Sequence, residues 1–123
     1  MLYVFPDDTL AMAHQAYARP YEDPIAVRAG GSVRPHLHPP ETTDILGWTW
    51  CVADDGREGW APDAWFEIRE DVWIARHDFS ALELTVAIGD QLTLLLSESG
   101  FLLCRNQTGE IGWVPDAIMT LIG

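Results

Sequence analysis

The chain has 123 residues, 48% of them hydrophobic, and its 19 acidic residues stand against seven arginines and no lysine. This composition is typical of a globular protein. A formal net charge of −12 leaves no basic surface for nucleic acid, and an anionic membrane would repel the chain. We therefore expect no nucleic-acid or membrane partner, and the charge favours a basic protein or peptide.

The first 14 residues precede the repeating part of the chain and are interpreted as an N-terminal extension. Leu2–Phe5 is an apolar run that ends at Pro6, which predicts a brief strand. Asp8 can cap a short helix through Ala16, because the intervening residues tolerate helix. Whether residues 1–14 pack on either domain or on a second chain stays open.

A stretch of 20 residues at 47–66 recurs at 100–119, which indicates two copies of one small domain. In each copy an apolar run leads to a turn that carries Gly56 or Gly109. Glycine supplies the positive φ of a tight turn, and the proline that ends the second run cannot donate to a strand ladder. Each copy therefore predicts a β-hairpin. The matched positions are Gly47/Gly100, Cys51/Cys104, Gly56/Gly109, Gly59/Gly112, Trp60/Trp113, Pro62/Pro115, Asp63/Asp116 and Ala64/Ala117.

The repeat predicts two domains, at 15–68 and 73–123, joined by a linker at 69–72. The first domain contains a long proline-rich loop at 34–46. A linker of four residues spans at most ~14 Å, so we expect the domains to touch. Short alternating runs separated by turn signals predict an all-β fold, with two small five-stranded barrels in tandem.

Cys51 and Cys104 occupy equivalent positions inside the predicted hairpins. One cysteine in each copy does not make a disulfide framework, so both are expected to be buried, reduced thiols. The chain shows no signal peptide and no run of membrane-spanning length, which favours a cytoplasmic location.

Four short motifs follow one another in the second copy, namely Ala75–Phe79, Glu83-Leu84, Gly89-Asp90 and Gly112–Pro115. In this order and spacing they resemble the Src homology 3 family, whose first motif reads Ala-Leu-Tyr-Asp-Tyr. The first copy resembles the same family over about 17–68, and the whole is similar to bacterial proteins with two variant domains of this type. The resemblance implies binding of proline-rich peptides in a groove lined by aromatic side chains.

Carried over motif by motif, the resemblance implies that the first copy holds the better peptide site. Trp48 takes the position of the groove tryptophan and Trp65 that of the last tyrosine. Tyr21 matches an opening aromatic residue, with Tyr17 left possible. Two acids lie in the loop that pairs with a basic residue beside the prolines of the ligand. The peptide-binding residues are then Tyr21, Glu22, Asp23, Trp48, Pro62 and Trp65.

The same comparison implies a degraded groove in the second copy, where packing is the expected role. His77 replaces the opening tyrosine beside Phe79. Phe101 replaces the groove tryptophan and Ile118 the last tyrosine, whereas Pro115 keeps the groove proline.

Trp60 and Trp113 match between the copies and are interpreted as scaffold. Trp48 and Trp65 are not matched by tryptophan in the second copy. That difference fits a ligand-binding surface and a domain interface equally well, since both are rich in aromatic residues.

No cofactor, metal or catalytic chemistry is expected. His36, His38, Glu41 and Asp44 lie close in sequence, but two histidines on a loop are a poor start for a metal site, so we interpret them as solvated loop residues. The acidic pairs fit turns, and no nucleophile, base and phosphate-binding loop occur together.

The sequence therefore predicts a non-catalytic module that binds a proline-rich or basic peptide, mainly through the first domain. The alternative is a structural or oligomerisation protein whose groove aromatics lie in a domain or subunit interface. Burial of Trp48 and Trp65 would favour this alternative, and the oligomeric state stays open.

Overall fold

The computed structural model describes residues 2–37 and 45–122. These residues form strands and two short 3-10 helices, with no α-helix among them, so the predicted all-β class is confirmed. The 3-10 helices are Asp63–Trp65 and Asp116–Ile118. The strands are β1 (Leu2–Val4), β2 (Leu10–Ala13), β3 (Ala26–Val27), β4 (Ser32–Pro35), β5 (Trp48–Ala53), β6 (Glu58–Pro62), β7 (Phe66–Arg69), β8 (Val72–Ala75), β9 (Phe79–Ser80), β10 (Gln91–Glu98), β11 (Phe101–Arg105), β12 (Ile111–Pro115) and β13 (Met119–Leu121).

The chain divides into two compact units whose boundaries differ from the predicted domains at 15–68 and 73–123. Unit 1 combines Met1–Glu22 with Leu82–Gly123, and unit 2 is the continuous segment Asp23–Ala81. In sequence, unit 2 is therefore inserted between the two parts of unit 1.

The main sheet of unit 2 has the strand order β6-β5-β4-β8-β7, and β3 pairs separately with β9. β7 and β8 form an antiparallel hairpin in which Ile68 lies opposite Trp73. Glu70 takes a positive φ of 56° in the turn between them. Residues 69–72, predicted to be an interdomain linker, thus connect two strands of one sheet.

The sheet of unit 1 has the order β12-β11-β10-β2-β13, and β1 pairs with the second half of β10. β2 lies between β10 and β13, so residues 10–13 are part of the sheet rather than of an extension. The prediction of a helix after Asp8 is wrong, because residues 10–13 form a strand. Along β2 the buried Ala11 and Ala13 alternate with the exposed Leu10 and Met12, which is the two-residue period of a strand.

The two units repeat one arrangement. In the hairpins β5–β6 and β11–β12, Cys51 lies opposite Gly59 and Cys104 opposite Gly112. The turn glycines Gly56 and Gly109 have φ values of 88° and 90°. The predicted pair of hairpins is confirmed, because each hairpin forms from neighbouring residues with a glycine where positive φ is required.

Segments 10–19 and 72–81 take equivalent places in the two units. The amide of Ala13 donates to Asp90 O at 2.9 Å in unit 1, and the amide of Ala75 donates to Gly31 O at 2.8 Å in unit 2. The resemblance assigned Ala75 to the domain at 73–123, but its strand pairs with β4 and β7. Each opening segment therefore completes the unit built from the hairpin of the other copy.

The equivalent strands β2 and β8 carry residues of very different size at one core position. Trp73 lies opposite Ile68, and Ala11 lies opposite Leu121 in the same register. Trp73 is buried and its ring centroid lies 5.8 Å from that of Phe66. The core of unit 2 therefore contains an indole where unit 1 has one methyl group.

Replacing this indole tests its part in the core. We expect Trp73→Ala to lower the free energy of unfolding by about 3–5 kcal/mol, because the change leaves a cavity among buried residues. Urea unfolding followed by circular dichroism measures the loss. Ile68→Ala, on the facing strand but 52% exposed, is the control and should cost much less; equal losses would contradict the packing described here.

Deleting residues 1–14 tests whether they belong to unit 1. The deletion removes β1 and β2, and β2 is the strand that lies between β10 and β13 and pairs with both. We expect the indole resonance of Trp113, in unit 1, to move to its unfolded position in a proton–nitrogen correlation spectrum. The resonance of Trp60, in unit 2, should stay, since every strand of that unit comes from Asp23–Ala81. An unchanged Trp113 resonance would mean that residues 1–14 are dispensable.

Candidate functional site

Four aromatic side chains meet in unit 2, and we call them the Phe79 cluster: Trp48, Trp65, Phe66 and Phe79. The ring centroid of Phe79 lies 6.5 Å from Trp48, 5.8 Å from Trp65 and 5.9 Å from Phe66. The contacts with Trp65 and Phe66 are edge-to-face, a favourable geometry for aromatic rings.

Local structure sets the positions of the two tryptophans in this cluster. Trp48 begins β5, opposite Pro62 at the end of β6. The chain then turns through a 3-10 helix that ends at Trp65. Asp63 begins this helix and accepts a hydrogen bond of 2.8 Å from the Thr49 hydroxyl, which ties the helix to the strand next to Trp48.

The predicted groove residues of unit 2 are buried rather than exposed. Trp48 is 7% exposed and Trp65 9%, and Pro62 is fully buried. The ring of Phe79, which the resemblance assigned to the other domain, packs against both tryptophans. This burial favours the structural alternative for Trp48 and Trp65.

The other three predicted peptide-binding residues lie where the chain passes between units. Tyr21 and Glu22 belong to unit 1 and Asp23 to unit 2. Tyr21 is half-buried, and both acids are exposed. Glu22 lies 3.7 Å from a nitrogen of Arg19, and Asp23 lies 3.3 Å from a nitrogen of Arg57. The accessible part of the predicted site is thus acidic, with each acid beside an arginine of its own unit.

The residues predicted to form the degraded groove are divided between the two units. His77 and Phe79 lie in unit 2, where the His77 ring is 6.0 Å from Trp65. Phe101, Pro115 and Ile118 lie in unit 1. Phe101 and Pro115 are opposite each other on β11 and β12, and Ile118 is buried at the end of its 3-10 helix.

Tyr17, rather than Tyr21, takes the place in unit 1 that Phe79 takes in unit 2. Its backbone pairs with Val86 as that of Phe79 pairs with Val27, and its hydroxyl donates to Glu83 Oε1. Sequence reasoning favoured Tyr21. The signal for Tyr17 was its spacing, since it follows Ala13 by the same interval as Phe79 follows Ala75.

A histidine–glutamate–tryptophan contact in unit 2 was not foreseen. Trp50 Nε1 donates to Glu58 Oε1 at 2.9 Å, and His36 Nε2 lies 3.3 Å from the same oxygen. The His36 amide donates to Trp50 O at 2.8 Å. The backbone bond from His36 holds the end of β4 against β5, and Glu58 on β6 contacts both side chains, so we assign this contact a structural role.

Of the possible metal ligands near His36, the residues His38, Glu41 and Asp44 lie outside the described part of the chain. Within residues 2–37 and 45–122, no group of three histidine, cysteine or acidic side chains is placed to hold a metal ion. The same residues contain no helix that is long and apolar enough to cross a membrane.

Comparisons of the chain with protein-family models, with curated proteins and with solved structures find no match. The functional inference therefore depends on the residues of this chain alone.

The two cysteines are free and buried, as predicted. Burial raises the pKa of the Cys104 thiol from 9.0 to about 12. Burial also raises the pKa of the Cys51 thiol to about 12, with a smaller contribution from the negative charge of Asp63. Both thiols therefore stay protonated in the folded protein at neutral pH and are poor nucleophiles.

These thiols should make stability depend on alkaline pH. In the unfolded chain they ionise near pH 9, whereas in the folded chain they stay neutral up to about pH 12. Their contribution to stability is complete below pH 9 and is lost as the pH rises towards 12, by about 1.4 kcal/mol per thiol and pH unit. We expect a lower urea midpoint at pH 10 than at pH 8, and a smaller drop in the double variant Cys51→Ala/Cys104→Ala; equal drops would contradict this account.

Proposed function

We propose that the protein is a non-catalytic interaction module that binds a basic or proline-rich peptide segment of a partner protein. The observation that carries the proposal is the excess of acid, with 19 acidic residues against seven arginines. Three of these arginines, Arg19, Arg57 and Arg69, already pair with acids of their own unit. A surface of one sign attracts a partner of the opposite sign and raises its association rate.

At the level of fold, we propose that each unit is a variant Src homology 3-like barrel. The strand order β12-β11-β10-β2-β13 in unit 1 and its counterpart β6-β5-β4-β8-β7 in unit 2 support this. So does the 3-10 helix that follows the Pro-Asp-Ala sequence at the end of β6 and of β12. In this interpretation the opening strand β2 precedes the other four strands of its sheet order in unit 1, whereas β8 follows the other four in unit 2.

Of the two ligand features, basic charge has the stronger support. Glu22 and Asp23 have highly exposed side chains, and exposed ion pairs contribute only about 0–1 kcal/mol, so an incoming arginine can replace Arg19 or Arg57. A proline-rich ligand would need aromatic rings that it can reach, and Trp48 and Trp65 are buried.

A second candidate is a structural role for the aromatic residues, without peptide binding. The Phe79 cluster favours it, because Trp48 and Trp65 already contact a ring of their own unit. Under this candidate the acidic surface serves only to keep the protein soluble.

Peptide titration distinguishes the two candidates. We expect an arginine-flanked polyproline peptide, and the same peptide with its prolines replaced by serine, to shift amide resonances at low ionic strength. Binding should weaken as salt is added, because exposed charges are screened. A glutamate-flanked polyproline peptide is the control and should not bind.

Charge variants complete this experiment. Glu22→Gln and Asp23→Asn should each weaken binding by up to about fivefold, the range for an exposed ion pair. If neither arginine-flanked peptide shifts a resonance at millimolar concentration, the structural candidate replaces the binding module.

A further inference from the structure

Unit 1 contains an apolar pocket with a volume of about 180 Å³. Its lining includes one acidic residue, Asp116, whose side chain is exposed. The apolar lining residues are Phe5, Ala11, Leu94, Leu102, Met119 and Leu121. None of them belongs to the predicted peptide groove.

The pocket exists because the opening strand of unit 1 has a small residue at a core position. Ala11 stands where the equivalent strand of unit 2 has Trp73, and Met119 stands where unit 2 has Phe66. In unit 2 these two aromatic rings pack together at 5.8 Å. The same backbone register with smaller side chains leaves the space unfilled in unit 1.

The hydrogen bonding of the Asp116 side chain differs from that of its counterpart in unit 2, Asp63. Asp63 accepts a hydrogen bond from the Thr49 hydroxyl, whereas Leu102 stands in the place of that threonine. Among the described residues, the Asp116 side chain has no hydrogen bond or ion pair. An exposed carboxylate that no described residue pairs with thus lies at the edge of an apolar pocket.

A second depression lies beside the pocket and shares Phe5 and Leu94 with it. Its charged lining residues are Asp7, Asp8 and Arg105. The pocket and the depression together carry three carboxylates and one guanidinium, so their surroundings are negative. An uncharged ligand would gain nothing from this arrangement, whereas a cationic one would be attracted.

We propose that this pocket receives one large apolar side chain of a basic peptide, with an arginine or lysine of that peptide beside Asp116. The inference rests on the proposed function and gives it a site separate from the predicted groove. A cavity of about 150 Å³ with apolar walls accommodates benzene, so a pocket of 180 Å³ is large enough for a phenylalanine or leucine side chain. Burial of that side chain supplies affinity, and the carboxylates select for basic neighbours.

Three blocked peptides test the proposal on the full chain. They are Gly-Arg-Phe-Arg-Gly, Gly-Arg-Ala-Arg-Gly, which lacks the apolar group, and Gly-Glu-Phe-Glu-Gly, which reverses the charge. We expect the first to bind at least about tenfold more tightly than the second, because a phenyl ring is buried. The third should not bind. The largest amide shifts should occur at Ala11, Leu102 and Met119.

Two variants locate the site. Ala11→Trp supplies the indole that unit 2 has at this position and should abolish the advantage of phenylalanine over alanine. Asp116→Asn changes only an exposed side chain. It should weaken binding of the phenylalanine peptide about threefold, as expected for the loss of an exposed ion pair. Asp71→Asn, an equal change of charge at an exposed site in unit 2, is the matched control and should have no effect. If Ala11→Trp does not fold, the comparison of Asp116→Asn with Asp71→Asn decides whether the peptide binds at this pocket.

The outcomes separate this inference from the proposed function. Equal binding of the two arginine peptides, with shifts outside the pocket, overturns the pocket and leaves the basic-peptide module in place. Binding of the glutamate peptide as tightly as its arginine counterpart overturns the basic occupant. If no arginine peptide binds, both proposals fail.

Discussion

Each unit depends on one four-residue strand that pairs along both of its edges. β2 pairs with β10 and β13 in unit 1, and β8 pairs with β4 and β7 in unit 2. β13 and β7 stand at the ends of their sheets, so within the described part of the chain β13 pairs with β2 alone and β7 with β8 alone. Without β2 or β8, the end strand β13 or β7 would lose its backbone partners, and the buried residues on both strands would lose their packing.

The identity of one residue on β2 and on β8 determines how the core beside that strand is packed. Trp73 and Ala11 occupy the same place in register, and interiors are packed closely enough for a difference of this size to matter. With the indole present, the core of unit 2 is continuous with the Phe79 cluster through Phe66. With alanine present, a space of about 180 Å³ opens in unit 1. One backbone plan therefore places a packed indole at this position in one unit and a pocket beside the same position in the other.

The sequence predicts structure that forms between neighbouring residues. It does not predict structure that depends on pairing between strands that are distant in sequence. The hairpins around Gly56 and Gly109 follow from turn chemistry within a few residues, and they form as expected. β2 pairs with β10, which lies some 80 residues away in sequence. The residues of β2 tolerate helix when considered alone. Propensity is a weak prior that tertiary pairing overrides.

The candidate site was harder to predict for the same reason. The side chains of Trp48 and Trp65 were identified by motif, but their burial depends on Phe79, which arrives with a strand assigned to the other domain. Because Phe79 belongs to unit 2, the rings of Trp48 and Trp65 lie in the interior of that unit. Glu22 and Asp23 are exposed. Exposed acids select for charge but not for the shape of a side chain. Discrimination between one apolar residue and another then requires an apolar space of defined size, and the small residue at Ala11 is what provides such a space in unit 1.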